Sequence, residues 1–364
     1  MFDVIVVGAG PAGSAAAKRC AEKGLSVVIL EKKKLPREKV CSGMLGPEAI
    51  PVIGKEYGEL PVWVMAKPSR LSGFIFHVPD IGKEKLECET PLTSRRELDY
   101  WMNKKAEAKG AEIWESTQFL GLIQEGGICS VKIRRGGRTE DIQSRFVVGG
   151  DGGISHVRGS VFPELRMRYA QVIQERIEGK VELDEKYFHW VYPLEYSPSC
   201  FTVSQKDRFV IVDVTGRIGQ AKGLMHLAKC FLKKHHLTND KPIWKGSCLM
   251  PLMFKELGAG IFSPAKGNVL LVGDAGNFCL PVSGGGIGSG IQTGLLAGDS
   301  IIQAIGSGEE AAGIFIDKVS NIISIYKGMY PWFRRMREAT ESGGSSLPRI
   351  LQEAYRARLD CLRD

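Results

Sequence analysis

The sequence predicts an α/β fold: a parallel-sheet domain, a smaller antiparallel-sheet domain and a helical tail. Three observations lead to this prediction. Near 2–30 and again near 267–300, a buried apolar strand passes through a glycine-rich turn into a helix, which is the order of a parallel βα unit. The second observation is a set of short apolar segments that predict antiparallel strands near 166–177, 187–193, 200–205 and 208–214, with a helix at 219–236. The third is helical spacing of apolar residues over 309–364, which predicts two or three helices.

The N-terminal segment DVIVVGAGPAGSAAAKRC carries a dinucleotide-binding fingerprint. Val4–Val7 form a buried strand, and a G-x-G-x-x-G turn leads into an alanine-rich helix. Gly8 makes the tight turn, Gly10 admits a pyrophosphate, and Gly13 lets the helix approach the strand. Glu31 ends the second strand, LSVVIL, and is placed to accept hydrogen bonds from a ribose, while the helix N-terminus faces the phosphates. These features predict a Rossmann-like domain.

Length and composition indicate a globular protein with more than one domain. A chain of 364 residues is longer than a single hydrophobic core usually serves. Of its residues, 43% are apolar and 25% are charged. The net charge of +8 is mild, and since the chain has neither a basic stripe nor a known nucleic-acid module, no nucleic-acid binding is predicted. The densest basic cluster, KKKLPREK at 32–39, is interpreted as a solvated loop.

The same composition bears on location and metal binding. A strand begins at the first residues, leaving no room for a signal peptide, and no apolar run is long enough for a transmembrane helix. Nine cysteines lack C-x-x-C spacing, which argues against zinc and iron–sulfur sites and for a reducing compartment. We therefore expect a cytoplasmic protein without a metal site.

Three further segments extend the fingerprint to a family resemblance. TSRRELDYWMNKKAEAKGAEIW (93–114) is a helix with Arg95 at its start, and RFVVGGDGGISHVRG (145–159) is a strand ending in Gly-Asp-Gly. GDAGNFCLPVSGGGIGSG (273–290) joins a buried strand to a helix. In this order the motifs resemble those of the FAD-dependent superfamily with the p-hydroxybenzoate hydroxylase fold.

Within that superfamily the chain resembles the geranylgeranyl reductase family. The resemblance lies in LPREKVCSGML (35–45), YFHWVYP (187–193) and PVSGGGIGSGI (281–291). Ser42 departs from the family's usual glycine, and the C-terminal region (310–364) matches no motif of the family. The family reduces isolated C=C bonds of prenyl chains. The resemblance thus implies an FAD-dependent oxidoreductase acting on a hydrophobic, prenyl-type lipid by hydride transfer from reduced flavin plus a proton.

A set of residues is expected to hold the cofactor. Asp274 accepts a hydrogen bond from a ribityl hydroxyl or caps the next helix, and Gly286 and Ile287 offer N–H groups to the flavin N1–C2=O edge, where charge collects on reduction. By resemblance, Arg95 lies near the pyrophosphate and the backbone of Phe119 near the adenine. The full expected set is Gly8, Gly10, Ala12, Gly13, Glu31, Lys32, Cys41, Ser42, Met44, Arg95, Phe119, Asp274, Gly286 and Ile287.

Two thiols and one aromatic segment are expected beside the flavin. Cys41 and Cys279 lie in loops that the resemblance places near the isoalloxazine. They are either buried structural thiols or a functional pair, which forms a disulfide or in which Cys41 donates the proton for alkene reduction. The substrate cavity is expected to be lined by His189, Trp190, Tyr192, Cys279 and Pro281.

The expected domains are discontinuous. An FAD-binding domain comprises 1–70, 93–165 and 255–305, a substrate domain comprises 71–92 and 166–254, and a helical region comprises 306–364. The amphipathic tail either packs on its own domain or acts as a lid or membrane-surface contact.

Two other functions stay open: a flavin-dependent monooxygenase or halogenase that uses O2, and an electron-transfer flavoprotein fed by a partner. FHWVYP is also a degraded form of the halogenase motif W-x-W-x-I-P. The chain has no second nucleotide fingerprint, so the external reductant is open between NAD(P)H and a protein donor such as a ferredoxin.

Overall fold

The computed structural model describes residues 1–361 as two sheets and a set of helices. The strands are β1 (Phe2–Val7), β2 (Val27–Leu30), β3 (Met65–Val78), β4 (Gly82–Thr93), β5 (Glu112–Trp114), β6 (Thr117–Glu125), β7 (Ile128–Arg135), β8 (Arg138–Gly149), β9 (Tyr169–Glu178), β10 (Tyr187–Val191), β11 (Cys200–Lys206), β12 (Phe209–Gly216), β13 (Pro242–Pro251), β14 (Ala265–Lys266) and β15 (Val269–Leu271). The α-helices are α1 (Pro11–Ala21), α2 (Ala49–Tyr57), α3 (Arg95–Glu107), α4 (His156–Val161), α5 (Ala221–Lys234), α6 (Phe254–Gly258), α7 (Ile287–Ser307), α8 (Ala311–Gly328), α9 (Tyr330–Glu341) and α10 (Leu347–Cys361). Short 3-10 turns cover Val62–Val64, Leu194–Tyr196 and Gly273–Gly276.

The first sheet is parallel at its centre. Its order is β14-β15-β8-β1-β2-β5, and the β6–β7 hairpin joins it through β8. Val4–Val7 and Val27–Leu30 are buried throughout, because α1, α8 and the β6–β7 hairpin pack with this sheet in one core. β1, β2 and β15 run parallel, so the turns that follow them meet at one edge of the sheet. The predicted Rossmann-like fold is confirmed.

The second sheet is mostly antiparallel and has the order β13-β9-β12-β11-β10-β3-β4. Only the β10–β3 pair is parallel. The predicted strands correspond to β9, β10, β11 and β12, and the predicted helix corresponds to α5, which covers one face of this sheet. β13 is not among the strands that the sequence predicts, because it begins and ends in proline and carries a glycine, a pattern tolerated at a sheet edge.

The C-terminal helices divide between the two sheets. α8 packs on the first sheet, where Phe315 and Tyr326 are buried in the main core. α9 and α10 pack on the second sheet, where the Tyr355 ring lies 4.4 Å from that of Phe74 and 5.6 Å from that of Phe76. Among residues 1–361, no helix combines the length and the apolarity needed to cross a bilayer.

The predicted domain borders remain a prediction, and one strand crosses them. β3 begins at Met65, within the segment assigned to the FAD-binding domain, and pairs with β10 and β4 of the second sheet.

Candidate active site

Residues from both sheets line one large cavity. Its volume is about 1740 Å³, beyond what a single drug-sized ligand needs, so a dinucleotide and a second molecule can share it. The turns after β1, β2 and β15 form one wall. The face of the second sheet opposite α5 forms another, and α9 closes part of the perimeter. Among the described residues, no group of His, Cys, Asp or Glu is arranged to hold a metal ion.

The fingerprint turn after β1 is a backbone cradle. Gly8 has φ +101°, and a Cβ there would lie 2.4 Å from the Gly150 carbonyl oxygen, so only glycine fits. Gly10 opens onto the cavity and is the N-cap of α1, whose first turn has no side-chain cap and no acidic residue. The first N–H groups of α1 are therefore free for an anion such as a pyrophosphate.

Gly13 has a different role from the other fingerprint glycines. It does not line the cavity, and a Cβ on it would lie 1.9 Å from the Gly8 carbonyl oxygen. Gly13 therefore supports the cradle by close packing and does not touch the cofactor space. Ala12, which also packs against Gly273, lines the cavity.

Glu31 is held by the surrounding backbone and by Arg37. Its Oε2 accepts hydrogen bonds from Ala9 N–H (3.1 Å) and Arg37 Nε (3.1 Å), and its Oε1 accepts one from Lys33 N–H (3.0 Å). Arg37 also donates to Asp99 Oδ2 (3.1 Å). The interpretation of 32–39 as a solvated loop is wrong for Arg37: its side chain is 12% exposed and bridges two buried carboxylates.

Arg95 lies on the cavity wall at the start of α3. It makes a two-point contact with Asp99 (2.9 and 3.1 Å), so the carboxylate joins Arg95 to Arg37. Burial opposes the charge of Arg95, but Asp99 and the neighbouring Cys41 outweigh it and raise its pKa. Asn103, one turn after Asp99 in α3, donates to the Ala9 carbonyl (3.0 Å) and fixes α3 against the cradle. The two guanidiniums fit a pyrophosphate beside the α1 N-terminus.

The loop after β15 presents a carboxylate and a second helix N-terminus. Asp274 lines the cavity, and no described residue donates a hydrogen bond to its carboxylate. It does not cap α7: the N-cap is Gly286, and no side chain satisfies the first turn. Gly286 and Ile287 line the cavity, so α7 directs its free N–H groups and positive end into it.

Arg158 holds the Asp274 loop in place. Its guanidinium is buried and donates to the carbonyls of Ala275 (2.9 Å) and Gly153 (2.7 Å). Asp151 accepts hydrogen bonds from the Ser155 hydroxyl and from two backbone N–H groups at the start of α4. Burial raises the pKa of Asp151 against the effect of these bonds. The Gly-Asp-Gly motif therefore builds a rigid support under the loop.

The aromatic face of β10 and the residue after it differs from the expected set at one position, because Phe188 stands where His189 is expected. Phe188, Trp190 and Tyr192 line the cavity, whereas His189 does not. The imidazole of His189 lies on the other face, with Nδ1 3.0 Å from Nε2 of His77 and Nε2 3.0 Å from the carbonyl of Asp184. The assignment of His189 to the substrate cavity is therefore wrong, because side chains alternate along a strand and Phe188 shares the face of Trp190.

The two predicted thiols both reach the cavity but are not joined. Cys41 is half-buried in the loop beside Arg95, and Cys279 is buried in the loop before α7. All nine cysteines are free, so the structure does not form the proposed disulfide. Burial raises the pKa of Cys279 well above its usual value. The remaining predicted residues line the same cavity: Lys32, Ser42, Met44, Phe119 and Pro281.

One edge of the first sheet carries a glycine cradle, an acidic residue placed to bind a ribose, and two helix N-termini without side-chain caps. Together these features define a dinucleotide-binding flavoprotein site. A family described as an FAD-binding domain matches residues 1–227, and the chain belongs to that family. The predicted FAD cofactor and the prediction of an FAD-dependent oxidoreductase are confirmed.

Curated relatives and solved structures agree with this assignment. The chain is 28% identical over 326 residues to a digeranylgeranylglycerophospholipid reductase of Methanocella arvoryzae, covering 85% of this chain and 80% of the relative. It is 26% identical over 343 residues to the enzyme of that name from Sulfolobus acidocaldarius, covering 85% and 71%.

The fold is similar to that of a geranylgeranyl bacteriochlorophyll reductase-like protein from Thermoplasma acidophilum. The TM-score is 0.81 at 20% identity, with 100% of this chain and 96% of the other covered. A flavin-dependent brominase variant shares the fold with a TM-score of 0.75 at 15% identity, covering 100% and 95%. The predicted similarity to geranylgeranyl reductases is confirmed.

Proposed function

We propose that the protein reduces C=C bonds in the prenyl chains of an anionic lipid. The observation that carries this proposal is the continuation of the cavity beyond the cofactor cradle. There, Phe188, Trp190 and Tyr192 form an aromatic wall, and Met336 of α9 packs in the same cluster. Such a surface suits a long apolar chain, because it removes that chain from water without asking for hydrogen bonds.

The cofactor supplies a hydride when it is bound and reduced. The chain holds it through the α1 N-terminus, Glu31 and Asp274, and the α7 N-terminus, which lines the same cavity, stabilises negative charge on it. The aromatic wall excludes water from the reacting double bond and orients it. A proton must accompany each hydride, and Cys41 is one candidate donor, named by the family resemblance.

The edge of the cavity carries positive charge suited to a lipid head group. We call Arg168, Lys255, Arg334 and Arg337 the basic rim; all four are exposed and line the cavity. Stacking of Phe254 on Phe333 (5.1 Å between centroids) brings α6 and α9 together, so the rim belongs to one region. Guanidinium and ammonium groups bind phosphate, which an anionic prenyl lipid carries and a prenyl alcohol lacks. The curated relatives are named as phospholipid reductases.

A single-turnover experiment tests this function. The holoenzyme is reduced chemically without oxygen and mixed with a geranylgeranyl phospholipid, with geranylgeraniol, or with a saturated phospholipid. We expect flavin reoxidation with the first two, faster with the phospholipid, and a product heavier by two hydrogens for each bond reduced. The saturated lipid is the matched control and leaves the flavin reduced. Equal flavin reoxidation with saturated and unsaturated lipid, or an unchanged product mass, would overturn the proposal.

Oxygen separates this function from the alternatives. If reduced enzyme instead consumes O2 with formation of a hydroxylated or halogenated product, the monooxygenase or halogenase alternative holds. An electron-transfer flavoprotein would pass electrons to an acceptor protein while leaving the lipid unchanged.

A further inference from the structure

Asp213 is a buried carboxylate in the middle of the cavity wall. It lies on β12, opposite Thr202 of β11 on one side and Gln174 of β9 on the other. Thr202 lies opposite Trp190, so one row across the sheet runs from the aromatic wall to Asp213. Asp213 is 8% exposed and is the one carboxylate that the described second sheet presents to the cavity.

The contacts of Asp213 are neutral hydrogen bonds. Gln174 Nε2 donates to Oδ1 (2.7 Å), and the Thr202 hydroxyl donates to Oδ2 (3.4 Å). No described cation lies within ion-pair distance of it, whereas Glu175, the adjacent acid on the other face of β9, is paired with both Lys229 and Lys245. A buried acid without a partner cation is costly to keep charged and is thereby suited to hold a proton.

Charged and titratable groups on the surrounding elements are few and lie at a distance. Lys206 of β11 donates to the carbonyls of Ser42 and Thr93, and Arg176 of β9 pairs with Glu38 of the loop that carries Cys41 (2.7 Å). Burial raises the pKa of Asp213 to about 6, while the two hydrogen bonds and the charges of Lys206 and Arg176 lower it.

Two thiols, those of Cys200 and Cys248, lie near Asp213 and line the same cavity. Cys200 lies on β11 and Cys248 on β13. Burial raises the pKa of Cys248, Lys39 lowers it, and the carboxylates of Asp274 and Asp213 raise it further. Asp213 and Cys248 line the same cavity as Asp274 and Cys41 beside the cofactor cradle, so a substrate in that cavity meets Asp213 on its wall.

We propose that Asp213 is the general acid that protonates the substrate double bond. This inference rests on the proposed function. The double bond accepts a hydride with its electron pair at one carbon, and the displaced π pair forms a C–H bond with the Asp213 proton at the other carbon. The alkene gains two electrons, the reduced flavin loses two, and the Asp213 carboxylate recovers its proton from water. Cys41 then shapes the site without supplying the proton.

The sign of the pH dependence follows from the protonated form being the active one. Below a pKa of about 6, Asp213 carries its proton and the rate is constant. Above it, the protonated fraction falls about tenfold for each pH unit, and the rate of the single turnover falls with it.

The test compares single-turnover alkene reduction from about pH 5 to about pH 8 in matched variants. Asp213→Asn keeps the size of the side chain and removes the proton, so we expect the rate to fall about 100- to 10,000-fold and the descending limb to disappear. Glu175→Gln removes a buried acid from the other face of the sheet and should keep the limb. Cys41→Ser should keep the limb as well.

A second variant and a direct titration test the same assignment even if Asp213→Asn does not fold. Gln174→Leu removes the bond that stabilises the charged form and should move the limb up by about one pH unit. Infrared difference spectra of the apoprotein should show a protonated carboxyl that titrates near pH 6 and is missing from Asp213→Asn.

The outcomes separate the two proposals. A limb that persists in Asp213→Asn and disappears in Cys41→Ser assigns the proton to the thiol and overturns the assignment of Asp213. An apoprotein without the titrating carboxyl, or a limb unmoved in Gln174→Leu, overturns it too. If the wild-type enzyme reduces no prenyl lipid, the proposed function fails and the role of Asp213 fails with it, whatever the infrared titration shows.

Discussion

The two sheets contribute to one cavity by different physical means. The first sheet offers backbone: glycine turns and the N-termini of α1 and α7, held by packing so tight that several positions have no room for a Cβ. The second sheet offers side chains on one of its faces. There, strand register alone places Trp190, Thr202 and Asp213 in one row across neighbouring strands. Any sequence that forms the same turns can build the backbone site. The side-chain site, in contrast, can change its substrate by substitution without a change of fold.

The largest effect is expected where the backbone site allows no substitution. Gly13→Ala places a Cβ 1.9 Å from the Gly8 carbonyl oxygen, and neither backbone segment can move without opening the cradle. We expect loss of stoichiometric FAD and a fall of about 3 kcal/mol in the free energy of unfolding. Flavin content after purification and denaturant unfolding measure the two effects.

Gly306→Ala is the matched control for this change. Gly306 lies on the exposed side of α7 and has no atom within 4 Å of an added Cβ. Alanine there should leave FAD content unchanged and stabilise the helix by about 0.5–1 kcal/mol. Equal flavin loss in both variants would show that the cradle does not depend on close packing.

The next effect concerns the acid at the end of β2. Glu31→Gln removes the charge that accepts hydrogen bonds from Ala9, Lys33 and Arg37 and that is expected to bind the ribose. A charged hydrogen bond contributes about 1.5–3 kcal/mol, so the dissociation constant for FAD should rise about tenfold to 150-fold. Calorimetric titration of the apoprotein measures it. Glu22→Gln, at the far end of α1, should bind FAD normally, and unaltered affinity in Glu31→Gln would remove the ribose role.

Substitutions at two neighbouring residues of β10 should have different effects, one on KM and the other on stability. Trp190→Leu shortens the aromatic wall and should raise KM for a prenyl lipid about tenfold, equivalent to about 1.4 kcal/mol, with FAD affinity unchanged. His189→Gln acts on the other face, where it disturbs the contacts with His77 and Asp184. It should lower the free energy of unfolding by about 1–3 kcal/mol and leave KM unchanged. Equal KM values in the two variants would show that the wall does not bind substrate.

The sequence predicts the backbone site far better than the side-chain site. Gly8, Gly10, Glu31 and Asp274 are adjacent to strand ends that local pattern reveals, and the structure brings them to one edge. Arg37 is missed because its role depends on Asp99, 62 residues away, and a basic run gives no local sign of an ion pair.

The errors on the second sheet come from its geometry. His189 is assigned to the cavity together with its neighbour Trp190, although a period of two places adjacent residues of a strand on opposite faces. Asp213 carried a signal that was available in the sequence: one acid in the apolar strand FVIVDVTG. A charged residue inside such a strand is rarely buried without a purpose. The cover that α9 gives to the cavity has no local signature at all.

The smallest effect is expected at the basic rim, where the side chains are exposed and water screens them. The double variant Arg334→Gln with Arg337→Gln removes two charges whose only described ion pairs are weak ones with Glu338 and Glu341 (3.7 and 3.6 Å). The two exposed charges together contribute about 0.5–1.4 kcal/mol, so KM for a geranylgeranyl phospholipid should rise about two- to tenfold. The effect should shrink as salt is added, because screening shortens the reach of exposed charges. KM for geranylgeraniol, which has no phosphate, should not change.

Arg349→Gln with Arg356→Gln is the matched control, since it changes the net charge equally at exposed positions of α10 outside the cavity. If both double variants raise KM for the phospholipid alike, the attraction comes from the charge of the whole protein, and the cavity recognises the prenyl chain but not the head group.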